Sequence, residues 1–166
     1  MTWWESVVLG FLQGATEFLP VSSSGHLVMG QALMGLELPG VGYEVALHLA
    51  TLLSVMVVYR ARIGGLIKGA LTGDRDSLKY IGLILLASVP AAFVGIGFED
   101  FLGQLFDTPW VTGAALMVTG LILWTSRAAL RNEPDNKPGA LDALLMGCAQ
   151  AFAIIPGISR SGSTVV

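Results

Sequence analysis

Three long apolar runs constrain this chain more than any other feature, because each can cross a lipid bilayer. They cover residues 41–59, 78–98 and 110–126. A helix needs about 20 apolar residues to span roughly 30 Å of hydrocarbon. Trp110 and Trp124 stand near the two ends of the third run, where interfacial anchors are common. These runs predict an all-α, polytopic membrane protein.

The composition agrees with this class and excludes others. Charged residues make up 13% of the chain, whereas an ordinary soluble domain carries about 25%. The lipid bilayer is therefore an expected partner. The net charge of −3 is small, so no nucleic-acid partner is predicted. The single cysteine, Cys148, excludes an internal disulfide framework.

The basic residues predict how the spans are oriented. Residues 99–109, between the second and third spans, contain three acidic residues and no base. The positive-inside rule therefore places residues 60–79 and 127–138 in the cytoplasm and the acidic loop outside. The basic residues on which this orientation rests are Arg60, Arg62, Lys68, Arg75, Lys79, Arg127, Arg131 and Lys137.

The segment before the first span, residues 3–38, is apolar on both sides of a polar interruption, PVSSSG. Its second half, 27–38, is too short for a full span, so a re-entrant hairpin is predicted. Irregular backbone at that depth needs protein or a water-filled cavity to satisfy its N–H and C=O groups. The stretch EFLPVSSSGH, residues 17–26, is therefore predicted to line a cavity.

The stretch GCAQAFAIIPGISRSGSTVV, residues 147–166, is similar to residues 10–26. Both contain Gly-x-x-Gln, then a proline and a cluster of serine and glycine. The two copies enter the membrane from opposite sides, which predicts an inverted-topology repeat with its site near the midplane. Residues 140–166 would start a second re-entrant hairpin. Since the first copy continues into further spans, residues 1–166 are expected to be a single membrane domain from the N-terminal part of a longer chain.

Arg160 lies in an apolar segment outside the predicted cytoplasmic loops. An arginine at the bilayer centre costs about 2.5–3.5 kcal/mol on insertion scales, so it normally faces a cavity and pairs with an anion. A structural salt bridge to Glu17 and a phosphate clamp are both possible, since guanidinium offers forked donors to phosphate. The residues around it that favour anion binding are Gly157, Ser159, Ser161, Gly162, Ser163 and Thr164.

Gln13 and Glu17 are four residues apart and therefore share a helix face. A carboxylate within a membrane must be paired, protonated or metal-bound. Oxygen ligands of this kind suit Mg²⁺ or Ca²⁺, with waters and substrate phosphates completing the coordination. Gln13 and Glu17 are therefore candidate metal ligands.

The polar residues that follow can serve chemistry or only cap local structure. His26 can be a general base, can attack phosphorus itself, or can form a hydrogen bond that caps a turn. The serines at 22–24 can act on a substrate or cap backbone groups. Glu44 and His48, four apart on the first span, can line the same cavity or bond to each other.

With these motifs in place, QGATEFLPVSSSGH and PGISRSGST resemble the undecaprenyl-diphosphate phosphatase family known as BacA or UppP. Gln13 and Glu17 match the family's Glu/Gln-x-x-x-Glu motif, although many members have glutamate at the first position. That difference leaves one fewer anionic metal ligand here. The residues that match the serine-rich turn and the arginine motif are Ser22, Ser23, His26, Pro156, Gly157, Ser159, Arg160, Ser161 and Thr164.

The resemblance implies hydrolysis of undecaprenyl diphosphate to undecaprenyl phosphate, which recycles the lipid carrier of cell-wall synthesis. It implies a bacterial inner-membrane protein that depends on a divalent cation, faces the periplasm and is often a homodimer. The catalytic residues would be Glu17, Ser23, His26 and Arg160, with the nucleophile open between Ser23, His26 and water. The phosphate-binding residues would be Ser22, Gly157, Ser159, Arg160, Ser161 and Thr164.

Two other functions remain open from the sequence. SSSGH and SR also resemble elements of type 2 phosphatidic acid phosphatases, which form a phosphohistidine without metal. Inverted re-entrant hairpins with a buried arginine also suit a transporter or flippase for a lipid phosphate.

Overall fold

The computed structural model describes residues 1–36, 38, 41–129 and 138–165. The described residues form helices and no strand, which confirms the all-α class. Of the basic residues used to predict orientation, Arg131, Lys137 and the side chain of Arg127 lie outside the described part. The helices are α1 (Trp3–Glu17), α2 (Ser23–Leu33), α3 (Gly42–Val58), α4 (Arg60–Leu71), α5 (Arg75–Gly97), α6 (Glu99–Phe106), α7 (Pro109–Ala129), α8 (Ala140–Phe152) and α9 (Arg160–Val165).

The three predicted spans correspond to α3, α5 and α7. Among the described residues, α5 is the one unbent helix long and apolar enough to cross a membrane, and it continues through Pro90 without a break. Two further spans are possible if each bent pair crosses as one unit. The bend between α3 and α4 is 75°, and the bend between α6 and α7 is 92°. The polytopic membrane architecture is therefore confirmed in the described residues.

Helices α1 and α2 form a hairpin around the polar stretch. Gly30 of α2 lies against α1, since a Cβ at this glycine would be 3.0 Å from Leu12 Cδ2 and 3.1 Å from Leu9 Cδ2. The second limb is the helix Ser23–Leu33, which begins earlier and ends earlier than the predicted limb, 27–38. Its re-entrant placement in the bilayer stays a prediction.

Helix α8 packs along α5 more extensively than any other pair of helices in the described chain. Gly147 permits this close approach, because a Cβ there would lie 2.5 Å from the Ala87 carbonyl oxygen and 3.0 Å from Pro90 Cδ. Helix α7 contacts both α2 and α9. The polar ends of the two repeat copies therefore both pack against α7.

The tight contact at Gly147 gives a test of this packing. Gly147→Ala should lower the free energy of unfolding by about 1–3 kcal/mol, because the added methyl overpacks a rigid backbone contact. Gly120→Ala on α7 is the control, since a Cβ there meets no atom within 4 Å. Apparent melting temperatures in detergent, followed by intrinsic fluorescence, report the difference. Equal melting temperatures would contradict the α5–α8 contact.

Candidate active site

Two bends of the chain, residues 18–22 and 153–159, meet in the structure. A Cβ at Gly25 would lie 2.7 Å from Gly157 Cα, so the two backbones are in direct contact. A Cβ at Gly162 would lie 3.3 Å from the Pro20 carbonyl oxygen. The Ser161 hydroxyl also donates to a carbonyl oxygen of the first bend at 3.4 Å. The two copies of the sequence repeat therefore touch at their polar ends.

The two bends begin their helices in the same way. Ser22 Oγ accepts the Gly25 N–H at 3.3 Å, and Ser159 Oγ accepts the Gly162 N–H at 3.0 Å. Each capping hydroxyl also lies near the hydroxyl two residues later, at 3.4 Å and 3.3 Å. Ser22, Ser24 and Gly25 have the same relative spacing as Ser159, Ser161 and Gly162. The sequence repeat is therefore also a repeat of hydrogen bonds.

Thr119 of α7 fixes the second bend, and sequence reasoning did not find it. Its hydroxyl donates to the Gly157 carbonyl oxygen at 2.7 Å and accepts the Ser159 N–H at 2.9 Å. Gly157 has φ of +99°, and a Cβ there would collide with the Thr112 carbonyl oxygen. Glycine is therefore required for both conformation and space. A threonine in the middle of an apolar span was the available signal.

A cavity of about 610 Å³ opens beside the two bends. Helices α3, α5 and α6 complete its walls, through residues that include Glu44, Gly95 and Glu99. The predicted site residues that line it are Glu17, Ser22, Ser23, Ser159, Arg160, Ser161 and Thr164. The cavity therefore contains a carboxylate, a guanidinium and several hydroxyl groups, drawn from both copies of the repeat.

Glu17 is held in place by two donors. Its Oε2 accepts from Gln13 Nε2 at 2.7 Å and from Ser23 Oγ at 2.6 Å. Gln13 is only 1% exposed, and its Oε1 is buried without a partner among the described residues. Gln13 therefore lies behind the cavity wall and orients the carboxylate. The Ser23 hydroxyl points its proton at a carboxylate, which is the arrangement of a nucleophile beside a base.

Arg160 begins α9, and its exposed side chain lines the cavity. Within the described part of the chain, its guanidinium donates no hydrogen bond and forms no ion pair. The salt bridge to Glu17, one of the two predicted interpretations, is therefore not formed here. The guanidinium is available to bind an anion.

His26 and Gly157, two other predicted site residues, do not line the cavity. The His26 Nδ1 atom lies 2.9 Å from the Ser22 carbonyl oxygen, one turn back along α2. This is the turn-capping contact that the sequence left open. Gly157 instead forms the backbone contact between the bends. A catalytic role for His26 stays a prediction.

Glu44 and His48 both line the cavity, which is one of the two alternatives predicted for them. Glu44 is 5% exposed, and its Oε1 accepts from Gln31 Nε2 at 2.6 Å. His48 Nδ1 lies 2.7 Å from the Glu44 backbone carbonyl oxygen, so the imidazole does not bond the carboxylate. Sequence spacing placed these two residues on one face, but it gave no sign of Gln31.

The donor atoms near Glu17 fit a divalent cation that is shared with a phosphate substrate. No group of three or more His, Cys, Asp or Glu side chains in the described ranges is arranged to hold a metal ion. Mg²⁺ usually binds through one or two carboxylates, waters and substrate phosphates rather than in a protein cage. The Glu17 carboxylate supplies the hard oxygen that such a cation prefers, whereas Gln13 Oε1, the other predicted ligand atom, lies behind the cavity wall without a partner among the described residues.

Known proteins with similar sequences carry one shared name. Relatives named undecaprenyl-diphosphatase include one of Desulfatibacillum aliphaticivorans, which is 41% identical over 99% of this chain and 66% of its own length. One of Salinibacter ruber is 40% identical over 99% of this chain and 66% of its own length. One of Methanococcus vannielii is 44% identical over 97% of this chain and 65% of its own length.

The chain thus spans slightly less than two thirds of the length of these curated relatives. The sequence profile of the family described as bacitracin resistance protein BacA matches residues 6–166, which is nearly all of this chain. Both copies of the polar repeat lie within the matched range. The chain belongs to the BacA family.

Proposed function

We propose that this protein hydrolyses undecaprenyl diphosphate to undecaprenyl phosphate and inorganic phosphate. One observation carries the proposal: the guanidinium of Arg160, which has no partner in the described ranges, lines the same cavity as a carboxylate–serine pair, Glu17 and Ser23. Such a set can bind a diphosphate and direct a hydroxyl at phosphorus. The names of the relatives support the same reaction and the same substrate.

The substrate would bind with its polyprenyl tail in the hydrocarbon and its diphosphate in the cavity. Arg160 would bind the phosphate oxygens, because its guanidinium has no competing partner among the described side chains. Ser159 is fixed through its backbone N–H by Thr119, and Ser161 neighbours it at 3.3 Å. Their hydroxyl groups would add donors on the same wall. Charge stabilisation of the transferring phosphoryl group is then the main catalytic contribution.

The attacking hydroxyl is that of Ser23. Glu17 Oε2, at 2.6 Å, would orient it and accept its proton as Ser23 Oγ bonds to the terminal phosphorus. The bond from that phosphorus to the bridging oxygen would break, releasing undecaprenyl phosphate. Water would then attack the phosphoserine, release inorganic phosphate and restore the serine.

A divalent cation, Mg²⁺ or Ca²⁺, would be held in the cavity by the Glu17 carboxylate, which Gln13 orients from behind the cavity wall. When bound, it would offset the negative charge of the diphosphate. The positive charge of the cation is needed because the described cavity lining contains three carboxylates, Glu17, Glu44 and Glu99, and one guanidinium. Without a cation or protons, the cavity wall would repel the substrate.

The cavity would face the periplasm of a bacterial inner membrane. Residues of α6 line it, and α6 belongs to the acidic segment that the positive-inside rule places outside. The basic helix α4 lies at the other end of α5, next to its first residue. A homodimer, which the family resemblance implies, is also proposed.

Arg160→Ala should lower kcat for phosphate release by about 100-fold or more, because a donor to the transferring phosphoryl group is lost. Arg62→Ala, in exposed helix α4 away from the cavity, is the matched control and should keep normal turnover. The assay is release of inorganic phosphate from a polyprenyl diphosphate by protein purified in detergent. Normal turnover in Arg160→Ala would exclude the proposed phosphate site. A lack of release by the unmodified protein would favour the transporter alternative.

Ser23→Ala should lower kcat by about 100-fold or more, because the attacking hydroxyl and its base would no longer be paired. Ser24→Ala is the control, since Ser24 lines the same cavity and its hydroxyl contacts Ser22 instead of Glu17. His26→Asn should keep much more activity than Ser23→Ala. The opposite order, with loss only in His26→Asn, would favour a phosphohistidine.

Removing divalent cations with EDTA should abolish phosphate release, and adding Mg²⁺ or Ca²⁺ should restore it. The reason is that the carboxylates of the cavity outnumber the guanidinium. The same measurement on Arg62→Ala controls for indirect effects of the chelator on the protein. Full activity in EDTA would favour a metal-independent lipid phosphatase over the proposed reaction.

A further inference from the structure

Glu44 is a buried carboxylate that the proposed reaction has not yet used. It stands in the first turn of α3 and is 5% exposed. Its Oε1 accepts from Gln31 Nε2, but its Oε2 is buried without a hydrogen-bond partner in the described structure. Glu44 nevertheless lines the cavity that contains Glu17.

An unpartnered carboxylate oxygen in this position is costly. A buried acceptor without a partner costs about 1–3 kcal/mol, and more when the group is charged. A rotation of the carboxyl group toward the adjoining cavity would let a bound cation satisfy this oxygen. The hydrogen bond from Gln31 leaves Oε2 as the free coordination site.

Glu17 is arranged in a similar way. Its Oε2 is occupied by Gln13 and Ser23, while none of the described groups bonds to its Oε1. Each of the two cavity carboxylates therefore has one oxygen fixed by a neighbouring side chain and one oxygen free. Two carboxylates with waters and phosphate oxygens are a usual ligand set for Mg²⁺.

We infer that Glu44 is the second carboxylate that holds the divalent cation, with Gln31 as its positioning residue. The inference rests on the proposed function for the presence of that cation. It also accounts for glutamine at position 13: the missing negative charge is supplied from α3 instead of α1. Gln13 then serves mainly to orient Glu17, as its 2.7 Å hydrogen bond indicates.

The test is the affinity of purified, substrate-free protein for Mn²⁺, measured by electron paramagnetic resonance of the free ion. Glu44→Gln should raise the Kd about tenfold or more, at least as much as the loss of a supporting contact around a metal ligand. The substitution keeps the size of the side chain and an acceptor for Gln31. Glu99→Gln is the matched control, because Glu99 lines the same cavity but is exposed, and it should raise the Kd much less than Glu44→Gln does.

Gln31→Met provides a second variant that keeps the carboxylate. It should raise the Kd for Mn²⁺ about tenfold, because Glu44 loses the donor that orients it. An unchanged Kd in both Glu44→Gln and Gln31→Met, with a raised Kd in Glu17→Gln, would overturn the inference and leave the proposed function standing. Equal losses in Glu44→Gln and Glu99→Gln would also overturn it, since they would indicate only a diffuse charge effect.

Failure of the proposed function would look different. In that case the unmodified protein would bind no Mn²⁺, and its phosphate release would persist in EDTA. Melting temperatures without metal identify any variant that is misfolded. If Glu44→Gln is misfolded, the Kd of Gln31→Met decides: a rise supports the inference, and no change overturns it.

Discussion

The backbone contact between Gly25 and Gly157 is the constraint on which the rest of the site depends. Neither glycine has room for a Cβ, so the two bends approach as closely as backbones allow. Gly157 also needs positive φ, and Thr119 holds the bend from α7 through two hydrogen bonds. Two segments far apart in sequence are thereby fixed against each other in an otherwise apolar chain. The cavity lies where they meet.

The contact brings together two bends that carry different reactive groups. The two bends share the same serine caps, but one bend carries Ser23 next to Glu17 and the other carries Arg160 at the corresponding position. One copy therefore supplies the hydroxyl and carboxylate, and the other supplies the guanidinium. Neither copy alone contains a complete set for reaction at phosphorus. A duplicated segment can thus build a site whose halves have different functions.

The sequence predicted those features that depend on local chemistry. Apolar runs located the long helices because hydrophobicity is a property of the segment itself, and the polar stretch PVSSSG marked the break between α1 and α2. The partners of Thr119 and Gln31 and the burial of Glu44 depend on which helices pack together, so no local pattern revealed them. The position of His26 away from the cavity also depends on how α2 is rotated in the fold.

Cross-linking between the bends tests their convergence most directly. In a Cys148→Ser background, Leu19→Cys and Ser161→Cys should be joined rapidly by a short bifunctional thiol reagent, because Ser161 Oγ lies 3.4 Å from the Leu19 carbonyl oxygen. Leu19→Cys with Ser88→Cys on the exposed surface of α5 is the matched control and should not be joined. Linked peptides identified by mass spectrometry give the yield. Equal yields for the two pairs would show that the bends do not meet, and a shared phosphate site would then be excluded.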